Sequence, residues 1–333
     1  MEFFKNIILK KQLLGNTSLI DNKDVLHIAF GIDANFTIGT GVLIYSILQH
    51  NKANMIFHIF SDDIHDDDIS RFKKLTTQYN NISIIIYYVN AKNFSNLSTS
   101  FIWSQATYYR FLIDISLNNN INKILYLDSD ILCINSFTDL LQQNFASNIT
   151  LMAVSDYPEM LSYAKKSLNL STNFYFNAGM LFINLNEWKK NNISTKAITS
   201  CLNNNFKYYD QDVLNILLSN KTTPLDNKYN LIYHLADMKQ SIPKNTIFLH
   251  YSGSVKPWQK WGQYHVLTPL WLKYKNHSPW KDIPIIQPNT YKQAKFMARM
   301  CKRNQHFFKA IYWFLIYSLW KIKFKIHKTK NKI

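Results

Sequence analysis

The sequence predicts an α/β protein built on a mixed, mostly parallel sheet. Apolar runs of strand length alternate with segments of helical spacing, the pattern that crossover-connected strands require. Several of these runs end in acidic residues, and one, 123–130 (KILYLDSD), ends in two carboxylates spaced two apart. Open sheets of this class bind ligands beyond the carboxyl ends of their strands, which is where Asp33, Asp128 and Asp130 fall.

Taken in order, 25–32 (VLHIAFGI) reads as a buried strand, 33–35 as a turn and 39–49 as a helix. Residues 55–60 form a second strand that stops at the acidic 61–63, followed by a helix over 64–79 and a third strand, ISIIIYYV, over 82–89. A helix over 105–117 carries Tyr109 and Arg110 ahead of the 123–130 strand. Strands near 150–154 and 179–183 and helices over 186–203 and 210–219 continue the fold. A short strand, 246–250, ends at His250, and a helix over 266–275 closes the main domain. Pro279, Pro284 and Pro288 mark a boundary near 276–290. The expected division is an extension over 1–24, a catalytic domain over 25–275 and a basic, aromatic, helical extension over 276–333.

A chain of 333 residues with 47% hydrophobic and 15% aromatic residues can bury a full core, which excludes a disordered or collagen-like protein. Three cysteines without a CxxC pair give neither a disulfide framework nor a thiolate metal site, and fit a reducing, cytoplasmic setting. The N-terminus lacks a signal-peptide core, and no apolar stretch of about 20 residues is present to span a membrane. The net charge of +17 is concentrated at one end: 12 Lys and Arg lie in 291–333, and no acid follows Asp282. The remaining 26 basic residues face 21 acidic ones, so the main domain lacks the broad basic face of a nucleic-acid binder.

Asp128 and Asp130, as residues i and i+2 of a strand, point to one side and can share a hard cation, which in turn can hold a diphosphate. His250 ends an apolar strand, and a neutral imidazole can complete a mixed carboxylate–histidine sphere that favours manganese over magnesium. Gly253 allows a backbone to approach a phosphate closely, and Lys256 can neutralise one. Asn177 can hydrogen-bond sugar hydroxyls; Asp210 can hold a hydroxyl pair or cap the helix that follows it; Gln211 both donates and accepts. Asp33 can accept from a nucleobase edge, and Arg110 can pair with phosphate or with a carboxylate such as Asp33.

Five segments in order, 29–35 (AFGIDAN), 126–130 (YLDSD), 176–179 (FNAG), 210–212 (DQD) and 250–258 (HYSGSVKPW), resemble those of glycosyltransferase family 8, retaining metal-dependent enzymes with a GT-A fold. The resemblance runs from about Val25 to Trp271 and is nearest to the enterobacterial enzymes that add glucose or galactose to the lipopolysaccharide outer core. It implies Mn2+ or Mg2+ at Asp128, Asp130 and His250, and a UDP-hexose whose nucleotide meets Asp33 and Asn35. It places Arg110, Asp156, Asn177, Ala178 and Asp210 around the donor sugar, Gln211 beside the anomeric carbon, and Gly253 and Lys256 on the diphosphate. Ala34 departs from the pattern, in which a second Asp is common. A metal-dependent UDP-sugar hydrolase or phosphodiesterase built on the same Asp pair, and a basic nucleic-acid-binding protein, are the rival readings.

The run 310–320 carries no charge and is flanked by Lys302, Arg303, Lys321, Lys323 and Lys325. Eleven residues cannot cross a hydrocarbon core of about 30 Å, so the segment reads as an interfacial helix on anionic lipid, here the cytoplasmic face of the inner membrane.

Overall fold

The computed structural model describes residues 2–100, 104–234 and 241–330. Its strands are β1 (Ile8–Gly15), β2 (Leu26–Ile32), β3 (Met55–Ser61), β4 (Ile82–Val89), β5 (Lys123–Leu127), β6 (Ile131–Cys133), β7 (Leu151–Ser155), β8 (Phe176–Asn184), β9 (Thr222–Leu225), β10 (Leu231–His234) and β11 (Phe248–Ser252). Its helices are α1 (Thr37–His50), α2 (Asp66–Gln78), α3 (Ile113–Ser116), α4 (Thr138–Leu141), α5 (Pro158–Ser167), α6 (Leu185–Lys190), α7 (Ile193–Asn203), α8 (Tyr209–Leu218), α9 (Thr268–His277), α10 (Tyr291–Arg303) and α11 (Phe307–Lys330).

The large sheet runs β1-β4-β3-β2-β5-β8-β7-β9. Strands β4, β3, β2 and β5 are mutually parallel, whereas β1 on β4 and β8 on both β5 and β7 are antiparallel. The fold is therefore α/β with a mixed sheet. Every residue of β3 is buried, as expected of a strand covered on both faces, and α1 is buried along nearly its whole length. Strands β2 and β5 are parallel neighbours, with Ile28 opposite Leu125 and Ala29 opposite Tyr126. The residues that follow them, Asp33 and Asp128, thus leave the sheet at the same edge, the carboxyl edge. A smaller sheet, in order β10-β11-β6, sets His250 opposite Ile131, one residue from Asp130.

Several elements differ from the sequence expectation. The strand expected over 123–130 stops at Leu127; Asp128 to Asp130 form a turn closed by the Ile131 amide on the Asp128 carbonyl at 3.2 Å. The two carboxylates are brought together by that turn, not by strand alternation. The helix expected over 105–117 is a 3-10 helix, Gln105–Leu112, that passes into α3. Its residues Tyr108 to Leu112 are all buried, so packing on every side, rather than one apolar face, sets its path. The helix expected over 186–203 breaks at Asn192, whose φ of 53° is left-handed. Residues 8–15, placed outside the domain by the sequence reading, form the edge strand of the sheet.

The described residues divide into two compact units. One runs to Ile232 and includes Ile242–His250; the other takes Tyr233, His234, Ser241 and the chain from Tyr251 onward. The second unit is built around the buried Trp258, Trp261, Trp271 and Trp280. There α10 begins with a capping box between Thr290 and Gln293 and buries Ala294, Met297, Ala298 and Cys301.

Candidate active site

The turn after β5 and the middle of β11, which runs on to Ser252 rather than ending at His250, bring Asp128, Asp130 and His250 together. One ligand atom from each lies within 4.8 Å of the other two, and His250 Nε2 stands 3.1 Å from Asp130 Oδ1. Asp130 and His250 are buried, while the Asp128 side chain keeps 30% of its surface exposed, which leaves an open side to the cluster. The Thr40 hydroxyl, from α1, donates to Ser129 Oγ at 2.8 Å and anchors the middle of the turn. Two carboxylates and an imidazole suit a divalent ion of intermediate hardness, so these residues fit the metal that the sequence reading assigns to them.

Behind His250 runs a chain of amides. Asn230 Oδ1 lies 3.1 Å from His250 Nδ1; Asn230 Nδ2 donates to Asn177 Oδ1 at 2.9 Å; the Gly179 backbone N–H donates to the same Asn177 oxygen at 2.9 Å. Gly179 is required where it stands. A Cβ there would lie 2.4 Å from His250 Cε1, so the imidazole occupies the space a side chain would take.

Arg110 is buried at the centre of the polar floor. It pairs with Asp128 at 3.0 Å and with Asp210 at 3.1 Å, donates to the Ala178 carbonyl, and stacks 4.3 Å from the centre of the Tyr126 ring. Burial works against its charge, but Asp210, Tyr126 and Asp128 outweigh it, and the guanidinium is held more firmly protonated than usual. Burial likewise pushes the Asp210 carboxyl above its usual range, against the opposing pull of Arg110 and of the Thr107 hydroxyl at 2.6 Å. Asp210 does not cap α8: it lies inside the first turn, and the cap position is Tyr208. Three carboxylates, Asp128, Asp130 and Asp210, against one guanidinium leave two formal negative charges, the balance a divalent cation would neutralise.

Gln211 is held through both amide atoms. Its Oε1 accepts from the Ala178 N–H at 3.0 Å and from Asn177 Nδ2 at 3.3 Å; its Nε2 donates to Asp156 Oδ2 at 2.9 Å and to the Tyr175 hydroxyl at 3.3 Å. The Tyr175 hydroxyl donates in turn to the fully buried Asp212, which also takes the Tyr163 hydroxyl and the Tyr208 N–H. Asp156, picked out in the sequence by a weak local match, is thus joined to Gln211 and Asn177 by direct hydrogen bonds.

Asp33 follows β2, and its side chain accepts from the Asn35 N–H at 2.9 Å, which opens a 3-10 turn and leaves Asn35 exposed. Burial raises the carboxyl of the nearby Asp62 above its usual value. Gly253 and Lys256 lie in the second unit. Gly253 takes a left-handed φ of 84°, where a Cβ would run into the His234 ring, and Lys256 is buried with its ammonium on the Tyr251 carbonyl at 3.1 Å. Sequence reasoning gave no role to Asn230, Tyr175 or Thr107, nor to Tyr126, which it met only as the first residue of the 126–130 segment. Asn230 sits in an asparagine-rich chain with no motif around it, and only the fold places it on His250.

The glycosyl transferase family 8 model matches residues 27–262, and the model of that family's C-terminal region matches 267–321. The chain is similar to the lipopolysaccharide 1,3-galactosyltransferase of Salmonella typhimurium, with 34% identity over 95% of this chain and 97% of that one. It is similar to the lipopolysaccharide glucosyltransferase WaaO of Escherichia coli K12, with 34% identity over 90% of this chain and 91% of that one. Among solved structures it matches the galactosyltransferase LgtC in complex with donor and acceptor sugar analogs, with a TM-score of 0.66 and 23% identity over 76% of this chain and 96% of that one. The sheet order, the acidic turn at its carboxyl edge and these matches agree: the chain is a glycosyltransferase with the GT-A fold and belongs to glycosyltransferase family 8.

Proposed function

We propose that the protein transfers glucose or galactose, with retention of configuration, from a UDP-sugar to the outer core of lipopolysaccharide. The observation that carries this reading is the Asp128–Asp130–His250 cluster at the carboxyl edge of the sheet, next to a polar floor built from Arg110, Asn177, Asp210 and Gln211. The printed activities of the Salmonella and Escherichia relatives supply the sugar and acceptor classes. Asp128, Asp130 and His250 would hold the cation, for which the imidazole favours Mn2+ over Mg2+. When bound, the ion would offset the negative charge that develops on departing UDP.

The chain's own residues do the rest. Asp33 and Asn35 meet the nucleotide, and Gly253 and Lys256 the diphosphate. Arg110, Ala178, Asn177, Asp156 and Asp210 orient the hexose. Gln211 is an amide pinned at both ends, a fixed dipole rather than a nucleophile, which favours attack from the same face as the departing group over a covalent intermediate.

We also place the enzyme at the cytoplasmic face of the inner membrane, held there by α11. This helix exposes Phe308, Ile311, Tyr312, Leu315, Leu319 and Ile322, which recur at three- and four-residue spacing, beside the exposed Lys309 and Lys323. No helix among the described residues is long and apolar enough to cross a membrane.

The test is a donor and acceptor screen: purified protein, Mn2+, tritiated UDP-glucose, UDP-galactose or UDP-N-acetylglucosamine, and lipopolysaccharide from truncated-core strains. The expected result is label in lipopolysaccharide that depends on one core length and one hexose. Free hexose released at the same rate without any acceptor would instead mark a UDP-sugar hydrolase. Asp130→Ala is expected to abolish transfer even at high Mn2+. Gln211→Ala is expected to lower turnover while donor binding persists, and unchanged turnover would remove Gln211 from the reaction.

A further inference from the structure

We infer that Asp212 is a positioning residue that holds Gln211 from two sides, through the backbone ahead of it and through the Tyr175 hydroxyl beside it; the inference rests on the part in transfer proposed above for Gln211. One fixed donor sets the direction of every hydrogen bond in the first tie. The Ala178 backbone N–H can only donate, so the Gln211 atom 3.0 Å from it is the amide oxygen. The Gln211 NH2 group is then the end that faces Asp156 at 2.9 Å and the Tyr175 hydroxyl at 3.3 Å. Tyr175 therefore accepts from Gln211, and its own hydrogen goes to Asp212 Oδ1 at 2.5 Å. Burial, with Asp212 adding to it, pushes the Tyr175 phenol above its ordinary value, so this oxygen keeps its proton. With the hydroxyl turned to the carboxylate, a lone pair is left for Gln211.

The second tie runs along the chain. Asp212 Oδ2 accepts from the N–H of Tyr208, the residue that caps α8, at 2.9 Å. Between them stands Tyr209, whose left-handed φ of 41° is one that a bulky side chain rarely adopts. That turn delivers Asp210 and Gln211 to the first turn of α8, and the carboxylate bridges across it. The same oxygen takes the Tyr163 hydroxyl at 2.8 Å, and the Tyr163 ring meets the Tyr175 and Tyr208 rings edge-on. Asn215, one turn further on, grips the Phe176 backbone N–H and carbonyl through its amide, so α8 stays docked on β8 when Asp212 is changed.

The experiment uses the full chain with Mn2+ and UDP-glucose or UDP-galactose. Tyr175→Phe removes one hydroxyl and keeps the ring. It is expected to lower kcat for donor turnover about 10- to 100-fold while KM and calorimetric UDP affinity stay unchanged. Asp212→Asn, whose NH2 group must face either the Tyr175 hydroxyl or the Tyr208 N–H, is expected to do the same. In a Gln211→Ala background, Tyr175→Phe is expected to cost nothing more, because the residue it acts through is gone. Wild-type kcat in Tyr175→Phe, or losses that multiply in the double variant, would overturn the inference. A second readout needs no turnover. In a chain labelled with 15N-glutamine, the Gln211 NH2 pair, identified by its disappearance in Gln211→Ala, is expected to exchange slowly in the wild type and faster in Tyr175→Phe. Equal exchange in the two would also overturn the inference, and this comparison decides if Asp212→Asn fails to fold or if neither sugar nucleotide is consumed. Wild-type kcat in Gln211→Ala would instead overturn the part given to Gln211, and with it the purpose of the two ties.

Discussion

Two residues carry more of the site than their size suggests. Gly179 matters for what it lacks: the His250 ring fills the volume a side chain would need, with Cε1 2.4 Å from the Cβ position. Gly179→Ala should therefore displace the imidazole and reduce Mn2+ affinity at least as much as loss of His250 itself; binding that survives unchanged would show that His250 is not a ligand. Arg110 matters for what it joins, being the shared partner of Asp128 and Asp210 and of the Ala178 carbonyl. Arg110→Ala leaves the buried Asp210 carboxylate without its cation and should cost about 3–5 kcal/mol in urea unfolding. Adding Asp210→Asn should return part of that loss, because the uncompensated charge is what destabilises; strict additivity of the two would contradict the pairing. At this scale the sequence was informative about residue types in motifs, such as Asp128, Asp130, Asn177, Gln211 and His250. It was silent on partners such as Asn230 and Tyr175, because hydrogen-bond geometry between distant segments has no local pattern to read.

Among elements, the central strands were legible and the connections were not. Strands β2, β3 and β4 announce themselves as apolar runs because both faces are buried, whereas β9 and β10 are four-residue strands of mixed polarity that no periodicity reveals. β1 was hidden by Lys10 and Lys11, edge-strand charges that read as an unstructured extension but lie over the Tyr88 and Tyr87 rings. The central strands also hold a polar string: His27 Nδ1 is 3.0 Å from His58 Nε2, and His58 Nδ1 is 3.0 Å from the Tyr87 hydroxyl. Burial lowers the His27 imidazole to about 4, and burial, with His27 and Lys11 adding repulsion, drives His58 well below its usual value. The unfolded chain binds these protons first, so stability rises with pH across the interval between the folded and unfolded values and is lost on acidification. From the His27 shift alone, lowering the pH from above 6.5 to about 4 should remove roughly 3 kcal/mol. Urea titrations across that range should show the slope, and His27→Gln should flatten it; equal slopes in the two proteins would assign the acid sensitivity elsewhere.

For the whole molecule, the fold class and the placement of chemistry at the carboxyl edge of the sheet followed from the alternation of elements. The C-terminal region stood out by composition: an uncharged run with basic flanks. What composition could not supply is how that region divides. α10 buries an apolar face, with Cys301 against the Tyr264 hydroxyl at 3.5 Å, while α11 turns an apolar stripe outward. Truncation before residue 307 should therefore release the enzyme from vesicles containing anionic lipid without loss of Mn2+-dependent donor hydrolysis, whereas removal from 291 onward would also take away α10 and uncover the residues on which its apolar face packs. Equal co-sedimentation of the full-length and 307-truncated proteins would end the membrane assignment. The account as a whole rests on one cation held by three side chains from distant parts of the chain, and anomalous diffraction at the manganese edge, from crystals soaked in Mn2+ and UDP, tests it most directly. The expected map has one peak at bonding distance from Asp128, Asp130 and His250 Nε2; a fully occupied manganese peak elsewhere, with that cluster bare, would contradict it.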